Sequence, residues 1–424
     1  MGYNNRALKE RTVPSAAFRW FLLVMVSLAM FGNYYVYDSI SPLADLLSKQ
    51  LKFTDSDIGL LNAIYSFPNI VMVLIGGIVI DRLGTKKSTF IFAFFCMSGA
   101  IITALSSSLT TMAAGRLVFG LGAESLIVAV TTVIGKWFKG KQLSFAFGIN
   151  LTIARIGSFA AFNSPTWAKG LYSDWQLPLL ISVAASVISV VAVIMYWLME
   201  NHAEKNFILE KVPEQDKIVF KEIFSFSKSY WYVVLLCVTF YSAIFPFQTF
   251  GVKFFIETHG VSREFGGFLI SLLTLSAMFL TPLFGLLADY IGKRSLLMMF
   301  GSLLLIPVYL LMAYTDVSLY VPMALMGISF SLVPAVMWPS VTLLVQPAKL
   351  GTAYGLMTMI QNIGLFAFNY TIGMVNDFSG GYTYGMWIFS TLGFFGLFFA
   401  FLLRKSETGA NGIGLELGIK HKNE

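Results

Sequence analysis

Between Phe18 and Leu403 the chain is a succession of apolar stretches, divided by short polar intervals. A hydrocarbon core about 30 Å thick needs about 20 apolar residues per helical crossing, and stretch after stretch meets that length. Inside lipid a backbone must satisfy its own polar groups, so runs of this kind can only be spanning helices. Composition agrees: 57 % apolar, 12 % charged and a mean hydropathy of +0.74, against roughly 45–50 % apolar and 25 % charged in soluble domains. The first run, which includes Trp20 to Tyr37, is too long for a cleavable leader and has many similar runs behind it. It is read as a retained helix.

The stretches predict twelve helices, near 18–47, 55–80, 88–107, 109–135, 143–168 and 176–199, then 229–257, 262–288, 296–314, 317–345, 353–376 and 382–403. The long polar interval at 200–228, with Glu200, Glu204, Lys205, Glu210, Lys211 and Asp216, reads as a solvated linker. The predicted organisation is therefore an all-α membrane protein: a tail (1–17), a six-helix bundle (18–199), the linker (200–228), a second six-helix bundle (229–403) and a tail (404–424).

The net charge of +7 is distributed in a way that argues against nucleic acid and for a bilayer. Under this topology 22 of the 29 Lys and Arg fall on one side, the positive-inside pattern, which predicts that both tails are cytoplasmic. Cys96 and Cys237 lie in apolar segments and read as small hydrophobes, with no disulfide framework or metal site implied. No cofactor is expected.

The two halves repeat. Gly77-Ile-Val-Ile-Asp81-Arg82-Leu83-Gly84-Thr85-Lys86-Lys87 returns as Gly285-Leu-Leu-Ala-Asp289-Tyr290-Ile291-Gly292-Lys293-Arg294. Phe147-Gly148 through Arg155-Ile-Gly157 returns as Tyr354-Gly355 through Asn362-Ile-Gly364 at nearly the same interval. These loops, with Gly115-Arg116-x-x-x-Gly120, resemble the major facilitator signature. Five stretches resemble, more narrowly, its lysosomal dipeptide uniporter branch: Tyr65-Ser-Phe-Pro-Asn69, Gly115 to Ser125, Trp137-Phe-Lys-Gly-Lys141, Ala154-Arg-Ile-Gly-Ser158 and Leu350 to Gly355. The resemblance implies two parallel six-helix halves with a substrate site at midplane. It further implies dipeptides as substrate, and an accessory subunit for the lysosomal members. Ala123 departs from it, standing where a Gly is expected. The N-terminal tail carries no acidic dileucine signal, so the expected location is a prokaryotic plasma membrane.

An ionisable side chain at mid-membrane costs at least about 2.5–3.5 kcal/mol and calls for a partner or a purpose. Glu124 and Arg155 fall near the centres of consecutive antiparallel helices, at similar depth. They could pair structurally; facing a cavity, Arg155 would grip a carboxylate with its planar fork and Glu124 would accept from an ammonium. Asn362 stands where the repeat has Arg155, which leaves one strong anion site. Tyr34, Tyr37, Tyr65, Asn150, Tyr241, Phe245, Gln248, Trp338, Gln361 and Asn362 are the candidates for the rest of the wall, Tyr65 and Trp338 first among them. Asp38 and Arg116 have two readings, a structural pair or a proton-carrying Asp38. Asp81, Arg82, Asp289 and Arg294 read as gates. By the resemblance, Asp81 would face Gly351-Thr352 and Asp289 would face Gln142-Leu143, each a helix start of the other half.

No Ser/His/Asp, Cys/His or metal-binding constellation and no Gly-x-x-x-x-Gly-Lys-Ser/Thr loop is present, so neither an enzyme nor an ATP-driven pump is expected. The expected activity is secondary transport of a small zwitterion, by uniport or with a proton. Two alternatives stand beside it: a proton-coupled transporter of organic anions or sugar acids, and a non-transporting membrane sensor or assembly subunit.

Overall fold

The computed structural model describes residues 14–138, 142–206, 226–346, 349–409 and 412–418. The first half comprises α1 (Ala16–Asp38), α2 (Ala44–Leu51), α3 (Asp55–Ala63), α4 (Ser66–Ala104), α5 (Leu109–Phe138), α6 (Leu143–Phe162), α7 (Ser164–Trp167) and α8 (Gln176–Asn206). The second comprises α9 (Lys228–His259), α10 (Arg263–Ile291), α11 (Arg294–Tyr314), α12 (Tyr320–Leu344), α13 (Leu350–Ser379) and α14 (Thr383–Glu407).

Three stretches predicted as single helices are broken, each near a proline. The 143–168 run divides at Asn163, two residues before Pro165. The 18–47 run stops at Asp38 and restarts through a short turn containing Pro42. The 55–80 run breaks at Ile64–Tyr65, where Pro68 has no N–H to return to the Ile64 carbonyl. Conversely, the intervals predicted as loops in the two repeated motifs are bends of one residue or two. Gly84 takes φ 76°, ψ 164° inside α4 and Gly292 takes φ 65° between α10 and α11. Positive φ is what a glycine offers at little cost, and this explains the second Gly of each motif copy.

Among the described residues, ten segments are long and apolar enough to cross a membrane. The arm at 55–83 and α13 complete twelve crossings; their Asn62, Asn69, Gln361, Asn362, Asn369 and Asn376 lower their hydropathy. α8 runs past the predicted boundary at 199 to Asn206. Glu200, expected in a solvated linker, is buried and joined to Lys136 and to the Trp137 indole N–H at 2.8 Å. Pairing lowers the cost of burying a carboxylate. The remainder of the predicted linker, 207–225, lies outside the described residues.

One face of the molecule carries the two motif bends and is basic. At the opposite, far face the halves are bound together. Asp45 accepts two bonds from Arg263 at 3.0 and 2.7 Å, Lys253 pairs with Asp55, and Lys169 pairs with Glu264 at 2.7 Å. Asp377 accepts the first-turn N–H groups of Asp55 and Ser56 at 2.8 Å each, and Asn376 donates to Asp55 at 2.9 Å. α3 and α13 cross there at glycines. A Cβ on Gly373 would lie 2.3 Å from the Asp55 carbonyl oxygen, and one on Gly59 2.4 Å from that of Asn369. Apolar packing joins the halves at the same face: far-face residues of the first half, among them Ile40, Leu43, Leu47, Ile58, Leu61, Phe162 and Leu179, belong to the second half's core, while most of the other buried apolar residues of the first half form a core of their own.

Beyond α14 the chain turns back. Glu407 accepts the N–H groups of Ile413 and Leu415, and Leu415 is buried. Arg294 donates to the carbonyls of Leu415 and Leu417 at 3.2 and 3.1 Å, and Glu416 accepts from the Ser295 N–H at 3.0 Å.

Candidate substrate cavity between the two halves

Below the sealed far face lies a cavity of about 550 Å³ bordered by both halves. Its walls are helical stripes: Asn33, Tyr34, Tyr37 and Asp38 on α1, Glu124, Ile127, Val128 and Thr131 on α5, Arg155 and Ser158 on α6. The second half adds Tyr241, Phe245 and Gln248 on α9, and Tyr354, Thr358, Gln361 and Leu365 on α13. Spacings of three, four and seven residues put side chains on one helix face, and each of these sets obeys that rule. Tyr65 enters from the α3–α4 break and Trp338 from α12.

Glu124 and Arg155 both border this space and form no ion pair. Neither has a hydrogen-bond or ion-pair partner among the described residues; Arg155 instead lies against the rings of Tyr34 and Phe330, each 5.5 Å from its guanidinium carbon. Two opposite charges on one cavity, both without protein partners, can bind a molecule carrying both signs. The structural pair considered from the sequence is not formed.

The aromatic residues are tied to one another. Tyr65 donates to the Tyr37 hydroxyl at 2.8 Å with the rings edge to face, and the Trp338 indole N–H donates to Tyr241 at 2.9 Å. Tyr241 stacks on Phe245 at 5.3 Å, and Tyr354 stacks on Trp338 while donating to its carbonyl at 3.0 Å. Such interlocked rings form a firm wall with few exposed donors.

Two expected wall residues lie elsewhere. Asn362 is buried away from the cavity and its amide donates to the Thr358 carbonyl at 3.0 Å; one residue of helix turns it about 100° from Gln361. Asn150 likewise is absent from the wall, its position five residues from Arg155 falling about 140° around α6. Asn33, Thr131, Ser158, Thr274, Tyr354 and Thr358 border the cavity without having been singled out. Extending each stripe by a turn would have found most of them.

Asp38 and Arg116 are not an ion pair. Arg116, almost fully buried, donates to the carbonyls of Leu61, Val36 and Tyr37 at 3.1, 2.9 and 3.1 Å and to the Asn62 amide oxygen at 3.3 Å. These carbonyls belong to the ends of α1 and α3, where the breaks remove their helical partners. Arg116 therefore caps two helix ends at once. Asp38 is buried beside Ser158 at the cavity's far end.

The gate residues do not meet the opposite half in this conformation. Asp81 and Arg82 are exposed without a partner among the described residues, and Asp289 pairs with Arg294 of its own loop at 2.9 Å. The contacts expected at Gly351-Thr352 and Gln142-Leu143 belong to a closed basic face, whereas here it is the far face that is closed.

The profile of the Major Facilitator Superfamily matches residues 26–368, and again 246–420. The mouse lysosomal dipeptide transporter MFSD1 is 33 % identical over 88 % of this chain and 84 % of its own length. The human lysosomal dipeptide transporter MFSD1 is 32 % identical over 87 % of this chain and 82 % of its own. A bacterial homologue of the human lysosomal transporter Spinster, in an inward-facing and unoccupied conformation, superimposes with a TM-score of 0.74 at 17 % identity, covering 93 % of this chain and 98 % of that one. The signature loops, the repeated halves and these matches agree: the chain belongs to the major facilitator superfamily, in the branch that contains the lysosomal dipeptide transporters.

Proposed function

We propose that this transporter carries short zwitterionic peptides, most specifically dipeptides, by alternating access. The observation that carries this reading is the pair of charges, Glu124 and Arg155, bordering one inter-half cavity without protein partners among the described residues. Two residues of extended chain span about 7 Å at most, and a cavity in the 300–1,000 Å³ range suits a ligand of that size. Arg155 takes the carboxylate in its fork and Glu124 takes the ammonium. Few of the aromatic walls' polar groups are free, which suits varied peptide side chains. The similarity to proteins named as dipeptide transporters supports the same assignment.

The positive-inside pattern makes the basic face cytoplasmic, so the described conformation is open inward. Return to the outward-open state requires the far-face contacts to part and Asp81 and Asp289 to reach the helix starts of the opposite half. Asp38 is the carboxylate available to a coupled proton, and uptake with and without a pH gradient decides between symport and uniport.

The testing experiment is thermal stabilisation of the purified protein by free dipeptides, amino acids, tripeptides and sugar acids. A ligand at 100 times its Kd adds about 2.7 kcal/mol to the folded state. Stabilisation by dipeptides that is lost in Arg155→Ala supports the site; a response confined to sugar acids or other anions would remove the peptide assignment.

A further inference from the structure

Arg155 lies near two aromatic rings, and they come from different halves: Tyr34 from α1 and Phe330 from α12. Phe330 does not border the cavity and is almost fully buried. It packs edge-on against Phe245 at 6.1 Å, and Phe245 in turn stacks on Tyr241. No carboxylate of the protein pairs with Arg155 among the described residues.

We infer that Phe330 is a positioning residue for the substrate's carboxylate: its ring, together with that of Tyr34, holds the Arg155 guanidinium in place while leaving that group's hydrogen-bonding edge free. The physical reason lies in the shape of the guanidinium. It is a flat cation whose N–H groups lie in its plane and whose faces attract π-electrons. A ring beside it offsets part of the desolvation of the charge without occupying any N–H. An Asp or Glu in the same place would consume the fork that a substrate needs. Because Phe330 belongs to the other half, the anion subsite is assembled by both halves together. It should be weakened whenever α12 withdraws from α6.

This inference rests on the reading of Arg155 as the carboxylate's partner, and the experiment separates the two. Affinities are measured for Leu-Ala and for its C-terminal amide, and the free-over-amide preference is compared among variants of one purified protein. Because the readout is a ratio within each variant, a general loss of stability cancels. Phe330→Leu should lower the preference about fivefold, the worth of one partly desolvated cation–π contact. Phe330→Tyr, which keeps the ring face, should retain it. Should Phe330→Leu fail to purify, Phe330→Met removes the ring with a flexible side chain of similar bulk. A full preference in the Leu or Met variant, together with its loss in Arg155→Ala, overturns the role of Phe330 and leaves the site standing. Absence of any preference in the wild-type protein overturns both.

Discussion

Replacing Gly373 by Ala puts a methyl group where α13 crosses the start of α3. The new Cβ would lie 2.3 Å from the Asp55 carbonyl oxygen and 2.7 Å from its carbon, whereas carbon–oxygen contacts settle at about 3.3 Å or more. The two backbones must then part by about 1 Å. Asp377 holds the N–H groups of Asp55 and Ser56 at 2.8 Å across the same junction, so that separation carries both bonds beyond useful length. Overpacking costs about 1–3 kcal/mol, and a hydrogen bond to a charged group is worth about 1.5–3 kcal/mol. With both bonds lost, a combined penalty of at least about 4 kcal/mol falls on the far-closed conformation, a shift of nearly a thousandfold in the conformational ratio. Spin labels at Ser173→Cys and Thr258→Cys, exposed far-face positions in opposite halves, report the change as a longer inter-label distance; the native Cys96 and Cys237 are buried. A Gly373→Ala protein with the parent's distance distribution would refute the claim that this crossing sets far-face closure.

Arg155→Ala should leave the melting temperature of the free protein close to the parent's, because no hydrogen bond to a described residue is lost, while abolishing stabilisation by free dipeptides; a collapse of the free protein would mark Arg155 as structural. Glu124→Gln should weaken free dipeptides at least tenfold and N-acetylated ones far less, as checked by competition binding. Arg116→Met should destabilise the protein by roughly 3–5 kcal/mol, since three carbonyls and an amide lose their donor; melting alongside the parent would show that those carbonyls find other partners. Asp45 and Arg263 should show a coupling of about 1–3 kcal/mol in a double-mutant cycle read by the same far-face distance, and additive effects would assign the closure elsewhere.

The helices and their pairing into halves were legible in the sequence because apolar length and repeated loop glycines are local signals. So was the placement of Glu124 and Arg155, since depth along a helix can be counted from its ends. The breaks were not. An apolar run stays apolar across Asp38 and across Ile64, and only the carbonyls freed there reveal what Arg116 is for. Azimuth around a helix is also written in the spacing: Gln361 and Asn362 cannot share a face, and the stripe through Tyr354, Thr358 and Leu365 says which of them turns inward. The far-face contacts of Asp45, Asp55 and Asp377 lay out of reach, because they join residues that meet only once the halves are docked. Glu200 was misread for a related reason. Its partners Lys136 and Trp137 come from another helix end, and a polar stretch gives no hint that one of its charges will be buried.

The returning segment after α14 alters where the second half can be cut. Its backbone carbonyls hold Arg294, Glu416 caps the start of α11, and Leu415 fills a buried position beside them. A protein shortened to the end of its last helix would therefore keep all its crossings yet strip the second signature loop of its supports. Glu407 would lose the N–H groups it accepts and keep its α9 partner, Ser229. Affinity tags and fusion partners belong after Gly418, and a shortened chain should be judged by the order of the α10–α11 bend rather than by its helix count.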